Sequence, residues 1–378
     1  MRQGRLLPEV VADVLIEEGA ALEKRTDGSL EFLIPYSLSG TLSIPEHGIL
    51  HFSNSPPCDG AIAASYDSEV FRAIEKVFAR KGKMTEASYP SVLPNIEKVS
   101  KWVPEKVVLS NATFRLQRVD HQAVIYVLVF FKYVALSDEK REGVFSLLVN
   151  RLNFSTVLPE NNSLDLLADL QSPEKGITVN PQETLKTIQA GFSAASLVVK
   201  ENFVPFIKSL ERRLHRDVTR VFEYYETLKA ETKRAFEKKG NEGFTSPEEA
   251  RKTLSAKLDA IEGERQWKIQ DLVSKYALKV GVEPVCSIDI ETHTPVFWID
   301  IKRRLLSRSF PLTYNPFYKK IDPLPCEACF YPRGGYFVCD EKLHILCSSC
   351  FSKCPECGRQ YCPLCYRRGC PRCNKKKV

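Results

Sequence analysis

The sequence predicts an α+β protein with an N-terminal α/β body, a long antiparallel helical hairpin, a small antiparallel sheet and a cysteine-rich C-terminal module. Three observations indicate this order. Helical and strand-like hydrophobic patterns alternate over the first 155 residues, two long heptad-like patterns follow, and eleven of the thirteen cysteines lie between Cys326 and Cys373. The predicted regions are the body (1–155), the helical region (156–277), the β segment (278–325) and the module (326–378).

The N-terminal body is predicted to contain both helices and a sheet. Helical spacing in Leu6–Leu22 and an apolar stripe in Ser68–Phe78, which Ser68 can cap, predict two helices. Arg141–Leu152 is predicted as a third. Short apolar runs predict strands at Leu30–Ile34, Ile49–Phe52, Val107–Leu109, Thr113–Gln117 and Ala123–Tyr133, with a hairpin turn at Val119–Gln122. These patterns indicate a structural core.

The helical region has its strongest pattern from Phe203, where apolar residues recur every three or four positions as far as Leu228. The Gly-Asn-Glu-Gly run at 240–243 predicts a stop, and Ser246 predicts the cap of a second helix extending to Tyr276. Each arm is then about 45–55 Å long at ~1.5 Å per residue. Dense charge on the outer faces favours an arm that projects into solvent, forming a homodimer or holding a partner, over a hairpin packed flat on the body.

The β segment lies between the hairpin and the cysteines. Apolar runs at Leu278–Val282, Val285–Glu291 and Val296–Ile301 predict a small antiparallel sheet. Pro323 and Pro325 then lead to the first cysteine of the module.

The composition is typical of a globular protein, with 43% hydrophobic and 27% charged residues. The longest apolar run, Ala123–Phe131, is too short to cross a bilayer, and acidic residues interrupt the first apolar stretch at the N-terminus. The sequence therefore predicts no membrane span, no secretory signal, and a cytoplasmic location, or a nuclear one in a eukaryote. In such reducing compartments, repeated cysteine pairs bind metal rather than forming disulfides.

Twelve side chains of the C-terminal module have the spacing of zinc ligands. A Cys-x-x-Cys pair lets two thiolates reach one ion from a tight turn, and a tetrahedral site needs a second pair. Twelve ligands divide evenly into three sites of four, so the sequence predicts three structural zinc ions. The predicted ligands are Cys326, Cys329, Cys339, His344, Cys347, Cys350, Cys354, Cys357, Cys362, Cys365, Cys370 and Cys373.

The order of the first eight ligands, over residues 326–357, resembles that of a RING finger, in which alternate pairs share an ion. The resemblance implies one site from Cys326/Cys329 with Cys347/Cys350 and another from Cys339/His344 with Cys354/Cys357. Cys362, Cys365, Cys370 and Cys373 would then form a third site. The spacing also allows a zinc ribbon that joins Cys354/Cys357 to Cys370/Cys373, an arrangement that leaves Cys339 and His344 without clear partners.

The basic end of the chain suggests a nucleic-acid contact. The formal net charge of +7 is concentrated after residue 350, and six basic residues are the candidate contacts: Arg367, Arg368, Arg372, Lys375, Lys376 and Lys377. Zinc ligation weakens this patch. Eleven bound thiolates carry eleven negative charges and three Zn²⁺ ions carry six positive ones, so the metal sites add a net charge of −5.

The sequence contains no phosphate-binding loop, dinucleotide fingerprint, zinc-protease helix or nucleophile elbow. The leading hypothesis is a non-enzymatic adaptor that docks a protein partner through its zinc module. The alternatives are a nucleic-acid-binding subunit and, as the RING resemblance implies, a ligase for ubiquitin or a ubiquitin-like protein. Because the body is expected to have its own core, loss of Cys347 or Cys362 is expected to unfold the module alone.

Overall fold

A computed structural model describes residues 6–52, 60–80, 83–159, 166–173, 176–177, 180–239, 246–332 and 334–373. The chain divides into two compact units, Met1–Lys83 and Met84–Val378. The fold is α+β, as predicted. Among the described residues, no helix combines the length and apolar character that a bilayer span requires.

The helices and strands of the first unit are α1 (Leu7–Glu17), β1 (Ala21–Lys24), β2 (Leu30–Leu33), α2 (Tyr36–Leu42), β3 (His47–His51), β4 (Ala61–Ala63) and α3 (Glu69–Arg80). Those of the second unit are β5 (Met84–Ser88), α4 (Ile96–Ser100), α5 (Val103–Lys106), β6 (Thr113–Leu136), β7 (Lys140–Asn150), β8 (Thr156–Val157), α6 (Pro181–Asn202), α7 (Val204–Lys239), α8 (Pro247–Tyr276), β9 (Lys279–Arg303), β10 (Leu306–Asn315), β11 (Lys320–Ile321), β12 (Tyr336–Val338), β13 (Ile345–Cys347), β14 (Ser352–Lys353) and β15 (Gln360–Tyr361).

The first unit is a four-stranded sheet in the order β1-β2-β3-β4, with helices packed around its core. Helix α3 begins as predicted, because the Ser68 hydroxyl accepts a hydrogen bond from the Phe71 N–H at 3.2 Å. Helix α1 is shorter than the predicted Leu6–Leu22. Gly19 adopts a φ of +88°, which turns the chain out of the helix and into β1.

The second unit is built on one large sheet in the order β11-β10-β9-β6-β7-β8, with β5 pairing alongside β9. Strands β6 and β9 are 24 and 25 residues long and pair antiparallel over nearly their whole length. The strands of the predicted β segment pair antiparallel, as expected, because β10 pairs with β9 and with β11. The three apolar runs, however, fall almost entirely in the single strand β9 and not in three strands. Because β9 also pairs with β6, the predicted small sheet is part of this larger one.

Two local predictions within this sheet are wrong. Val119–Gln122 is not a turn, because these residues lie within β6 and pair with Thr294–Phe297 of β9. Arg141–Leu152 is not a helix, because its residues form β7 and pair with β6 from Tyr126 to Leu136. In both cases pairing with a neighbouring strand overrides the local pattern, which is the usual behaviour of β structure.

The predicted helical hairpin is confirmed, with α7 and α8 running antiparallel over 36 and 30 residues. The Tyr276 hydroxyl donates to Asp217 at 2.6 Å, near the base, and Arg265 pairs with Glu226 at 2.6 Å further along. Ser246 caps α8 by accepting from the Glu249 N–H at 3.2 Å, as predicted. The predicted stop at 240–243 lies outside the described residues.

The C-terminal module packs directly on the large sheet. Apolar side chains of α4 and α5, of β9 and β10, and of the module itself belong to one buried cluster, which includes Val103, Ile299, Leu312, Tyr336, Val338, Ile345 and Cys347. Main-chain hydrogen bonds reinforce this packing, since the Ser110 N–H donates to the Tyr336 carbonyl at 2.8 Å. The module therefore shares a core with the sheet, although the sequence predicted it as a region of its own. The domain limits given above stay predictions.

Candidate metal centres

The structure brings the twelve predicted ligands together in three groups of four. The first group is Cys326, Cys329, Cys347 and Cys350; the second is Cys339, His344, Cys362 and Cys365; the third is Cys354, Cys357, Cys370 and Cys373. Within each group the candidate ligand atoms all lie within 4.8 Å of one another.

The sulfur separations fit tetrahedral zinc. Two thiolates bound to one ion at about 2.3 Å and at the tetrahedral angle lie ~3.8 Å apart. The observed Sγ–Sγ distances are 3.9 Å for Cys329–Cys347 and 3.8 Å for Cys339–Cys365. In the third group they are 3.8 Å for Cys354–Cys373 and 3.7 Å for Cys357–Cys370. A disulfide would bring two sulfurs to about 2.05 Å, so the spacing excludes disulfides between these pairs and is consistent with three zinc sites.

His344 completes the second group through its Nδ1 atom. That nitrogen lies 3.7, 3.6 and 3.3 Å from the sulfurs of Cys339, Cys362 and Cys365. Zinc bound to nitrogen at about 2.05 Å and to sulfur at about 2.3 Å would separate the two ligand atoms by ~3.5 Å. The imidazole is therefore oriented as a ligand.

The Cys-x-x-Cys pairs share one local turn. In four of them the N–H of the residue after the second cysteine donates to the carbonyl of the first cysteine; the donors are Phe330, Phe351, Gly358 and Tyr366, at 2.7–3.0 Å. The turn gives Phe330 and Gly358 positive φ angles, of +58° and +68°. Only glycine adopts this conformation without steric cost. The tight turn explains why two thiolates separated by two residues converge on one ion.

The RING-like division of the ligands is wrong for the second and third groups. The first group is the one that the resemblance implies, but Cys339 and His344 join Cys362 and Cys365. The pair Cys354/Cys357 joins Cys370/Cys373, as in the ribbon alternative. In the first and third sites one other ligand pair lies between the two pairs that share an ion, whereas two other pairs lie between those of the second site. The chain returns after Cys357 to complete that site, and the returning segment pairs β15 with β14 in a small hairpin.

The first and second sites are fastened to β10 by one ion pair. The Arg308 guanidinium donates two hydrogen bonds to the Glu327 carboxylate, at 2.9 and 2.7 Å, and a third to the Leu343 carbonyl at 3.1 Å. Glu327 also accepts from the Ile345 N–H at 2.6 Å. Because Glu327 follows Cys326 and Ile345 follows His344, this contact holds both sites in a fixed position on the sheet.

The segment that leads into the first site is anchored by a buried carboxylate. Asp322 accepts hydrogen bonds from Tyr126 at 2.8 Å, Asn150 at 3.0 Å, Thr313 at 2.9 Å and Asn315 at 2.8 Å. Four donors satisfy the carboxylate where water has no access. No motif in the sequence marks this residue, although an acidic residue within an apolar, proline-rich run is a usable signal.

The protonation of the thiols favours metal binding at Cys326. A hydrogen bond from the Cys329 thiol, helped by backbone N–H groups, lowers the pKa of Cys326 to about 5. Burial acts in the opposite direction on Cys350 and raises its pKa to about 12. Zinc binding to the first site would displace the protons of those thiols that are still protonated.

Three of the predicted nucleic-acid contacts lie on the loops that carry the metal ligands. Arg367 and Arg368 are exposed on the turn between the second and third sites, and Arg372 is exposed within the last Cys-x-x-Cys pair. Lys375, Lys376 and Lys377 lie outside the described residues.

A cavity of about 290 Å³ adjoins the second site. The loop after β7, with Leu152 and Phe154, forms one wall, while His344 and Leu364 form the other. Residues 308–311 of β10 form the floor. No pattern in the sequence predicts this cavity, because its lining comes from segments that are distant in the chain.

Comparison of the sequence with known proteins does not identify a family. The sequence matches no protein-family model, and no curated protein matches it. The three zinc sites therefore rest on the arrangement of their own ligands.

Proposed function

We propose that the protein is a non-enzymatic, zinc-stabilised adaptor that docks a protein partner through its C-terminal module. The observation that carries the proposal is the closed ligation of the three sites. Each group supplies four protein ligands, which fills a tetrahedral zinc ion, whereas a catalytic zinc keeps one position for water or substrate. Zinc in this protein would therefore shape a surface.

The attachment of the module supports a role in presenting that surface rigidly. Arg308 and Glu327 fix the module to β10, and Asn111 fixes it from another side by accepting from the Val338 N–H at 2.8 Å. A preformed surface loses less conformational entropy on binding than a mobile one. The module is thus suited to recognise a partner without first becoming ordered.

The experiment is affinity purification of the full-length protein from its own cells after nuclease treatment, followed by lysine cross-linking and mass spectrometry. We expect cross-links from the partner to Lys342 and Lys353, which are exposed on the module. A truncation at Pro325 is unsuitable, because it removes part of the core beneath β9 and β10. Cross-links confined to Lys252 on α8, or complete loss of partners with nuclease, would contradict the proposal.

The second candidate function is nucleic-acid binding. It is favoured by the exposure of Arg367, Arg368 and Arg372 on neighbouring zinc loops. Each phosphate contact releases counterions, so binding should weaken steeply as salt increases. Removing Arg367 and Arg368 together should reduce that salt dependence by about two contacts.

Ligase activity of the RING type is the third candidate and rests on the order of the first eight ligands. Its test is zinc-dependent discharge of a charged conjugating enzyme. The altered division of the second and third sites changes the surface that such an enzyme would meet, so we place this candidate last.

A further inference from the structure

The cavity beside the second zinc site lies along an open strand edge. We name it the β10 groove and define it by Leu152, Phe154, Phe310, Phe330, His344 and Leu364. We propose that an extended segment of a partner protein adds as a strand to β10 here, with apolar side chains in the groove and acidic side chains on the opposite face. The inference rests on the proposed adaptor function and names the chemistry of its partner.

The hydrogen bonds of β10 show which main-chain groups point away from β9. The Thr313 carbonyl accepts from the Asp322 N–H at 2.9 Å, and the Pro311 carbonyl accepts from the Asn153 side chain at 2.9 Å. Neither donor belongs to β9. Outward-pointing groups alternate along an antiparallel strand, so the main-chain groups of Ser309 and Ser307 also point outward.

The edge is covered at one end only. Strand β11 pairs with Tyr314 and Asn315, and the loop after β7 covers Pro311 through Asn153. Within the described part of the chain, no hydrogen bond reaches the outward main-chain groups of Ser309, and its side chain is exposed. Unpaired strand edges are templates for another strand, and peptide recognition commonly uses them.

The groove itself favours an apolar side chain. Phe154 and Phe330 meet edge to face with ring centroids 6.4 Å apart, and Leu364 and Phe310 add further apolar lining. The polar groups of the lining are largely engaged, since Arg308 pairs with Glu327 and the Nδ1 atom of His344 faces the zinc ligands. An aliphatic or aromatic side chain would bury its surface there without stranding a charge.

The other face of the sheet next to this edge favours acidic side chains. Arg115, Asp300 and Ser309 lie directly opposite one another on three adjacent strands, and Lys302 is paired with Ser307. Residues in such positions share one face. Lys302 pairs with Asp300 at 3.7 Å, but its side chain is 61% exposed, whereas that of Asp300 is only 12% exposed. Arg115 is also exposed, so the accessible charge at this edge is basic.

These two faces together specify the partner segment. Side chains of an added strand alternate between the groove and the basic face. The segment should therefore alternate apolar and acidic residues over about four positions, the length of edge that is open between residues 307 and 310.

The experiment selects short random peptides by phage display on the zinc-loaded full-length protein and measures the binding of the selected peptides by fluorescence anisotropy. We expect an alternating apolar–acidic pattern. Ser309→Pro removes the outward N–H without removing a bond to β9, and should weaken binding about tenfold. The matched control Ser309→Ala keeps the N–H and should bind like the unsubstituted protein.

Two further variants keep the inference testable if Ser309→Pro fails to fold, which its zinc content and melting temperature would reveal. Leu152→Asp places a charge in the groove and should abolish binding, and Lys302→Glu should weaken binding of the acidic peptides. Failure to select alternating peptides, or equal binding by all variants, would overturn the inference. If the partner still forms cross-links to Lys342 in the Ser309→Pro variant, the partner does not bind by strand addition at the β10 groove. The adaptor proposal itself would then still hold.

Discussion

The first and third zinc sites have the same ligand type but different surroundings. Cys326 and Cys347 of the first site are 0% and 1% exposed and belong to the core that the module shares with the sheet. Cys354 and Cys370 of the third site are also buried, at 4% and 6% exposure. None of the four ligands of this site belongs to that core, however, and its neighbours Glu356, Gly358 and Arg359 are exposed. A four-cysteine site is thus part of the hydrophobic core at the first position, whereas at the third position it only holds its own loops together.

The difference teaches that the effect of zinc on stability depends on what the ligands are packed against. Metal binding contributes to folding free energy wherever the site does not preform in the unfolded chain. At the first site the same residues also fill the space beneath β9 and β10. Losing that ion should therefore disturb the sheet, whereas losing the third ion should disturb only its own loops.

The largest expected effect follows from Cys347→Ser. The variant should lose zinc from the first site. Because the buried ligand also belongs to the core shared with the sheet, the whole second unit should lose its cooperative melt, and not the module alone as the sequence suggested. Zinc content by mass spectrometry and thermal unfolding by circular dichroism measure both effects. Cys286→Ser is the matched control, since Cys286 is exposed on β9 outside the module, and it should leave both quantities unchanged.

A smaller loss is expected from Arg308→Ala. The substitution leaves the half-buried Glu327 carboxylate without its partner and removes the anchor of the first two sites, at a cost of about 2 kcal/mol in the free energy of unfolding. Arg304→Ala is the control, because Arg304 is 73% exposed where it pairs with Asp340 and should cost less than ~0.5 kcal/mol. Equal costs in urea denaturation would show that the Arg308 contact is not an anchor.

A local effect is expected from Gly358→Ala. Gly358 has a φ of +68° in the turn after Cys357, and a Cβ there should cost about 1 kcal/mol of third-site stability. Chelator competition should show weaker zinc binding at that site alone. Gly334→Ala, where a Cβ meets open space and φ is not positive, should bind all three ions normally.

The smallest effect on the sheet is expected from Cys370→Ser. This variant should bind two zinc ions instead of three, while the free energy of unfolding of the large sheet changes by less than ~0.5 kcal/mol. Urea denaturation monitored at the sheet, beside zinc content, measures both. A loss of sheet stability similar to that of Cys347→Ser would remove the distinction between the two sites.

The sequence was sufficient for features that depend on local spacing. The twelve ligands converge because each Cys-x-x-Cys forms its own turn, and the helical hairpin follows from apolar periodicity and the Ser246 cap. The division of the ligands was not predictable in the same way. Cys354/Cys357 and Cys362/Cys365 are equivalent in local sequence, and the path of the chain around β14 and β15 decides which pair His344 joins.

The large sheet was only partly predictable, because its central pairing joins residues far apart in the chain. Thr113 pairs with Lys302. The helical hairpin of α7 and α8 separates these two residues in the chain, and no pattern in the sequence indicates that they pair. The polar run at Val119–Gln122 indicated a turn only while its partner strand was unknown. The groove beside β10 was invisible for the same reason, since its walls meet only after the module has packed on the sheet.

The most direct test of the account is stepwise zinc removal by a chelator, with the number of bound ions followed by native mass spectrometry and amide hydrogen exchange measured in β9 and β10. We predict that the first ion lost comes from the third site and leaves exchange at residues 296–312 unchanged. Loss of the ion bound by Cys326 and Cys347 should then coincide with a sharp rise in exchange there. Unchanged protection of these strands after all three ions have left would contradict the claim that the first site is part of the core of the sheet.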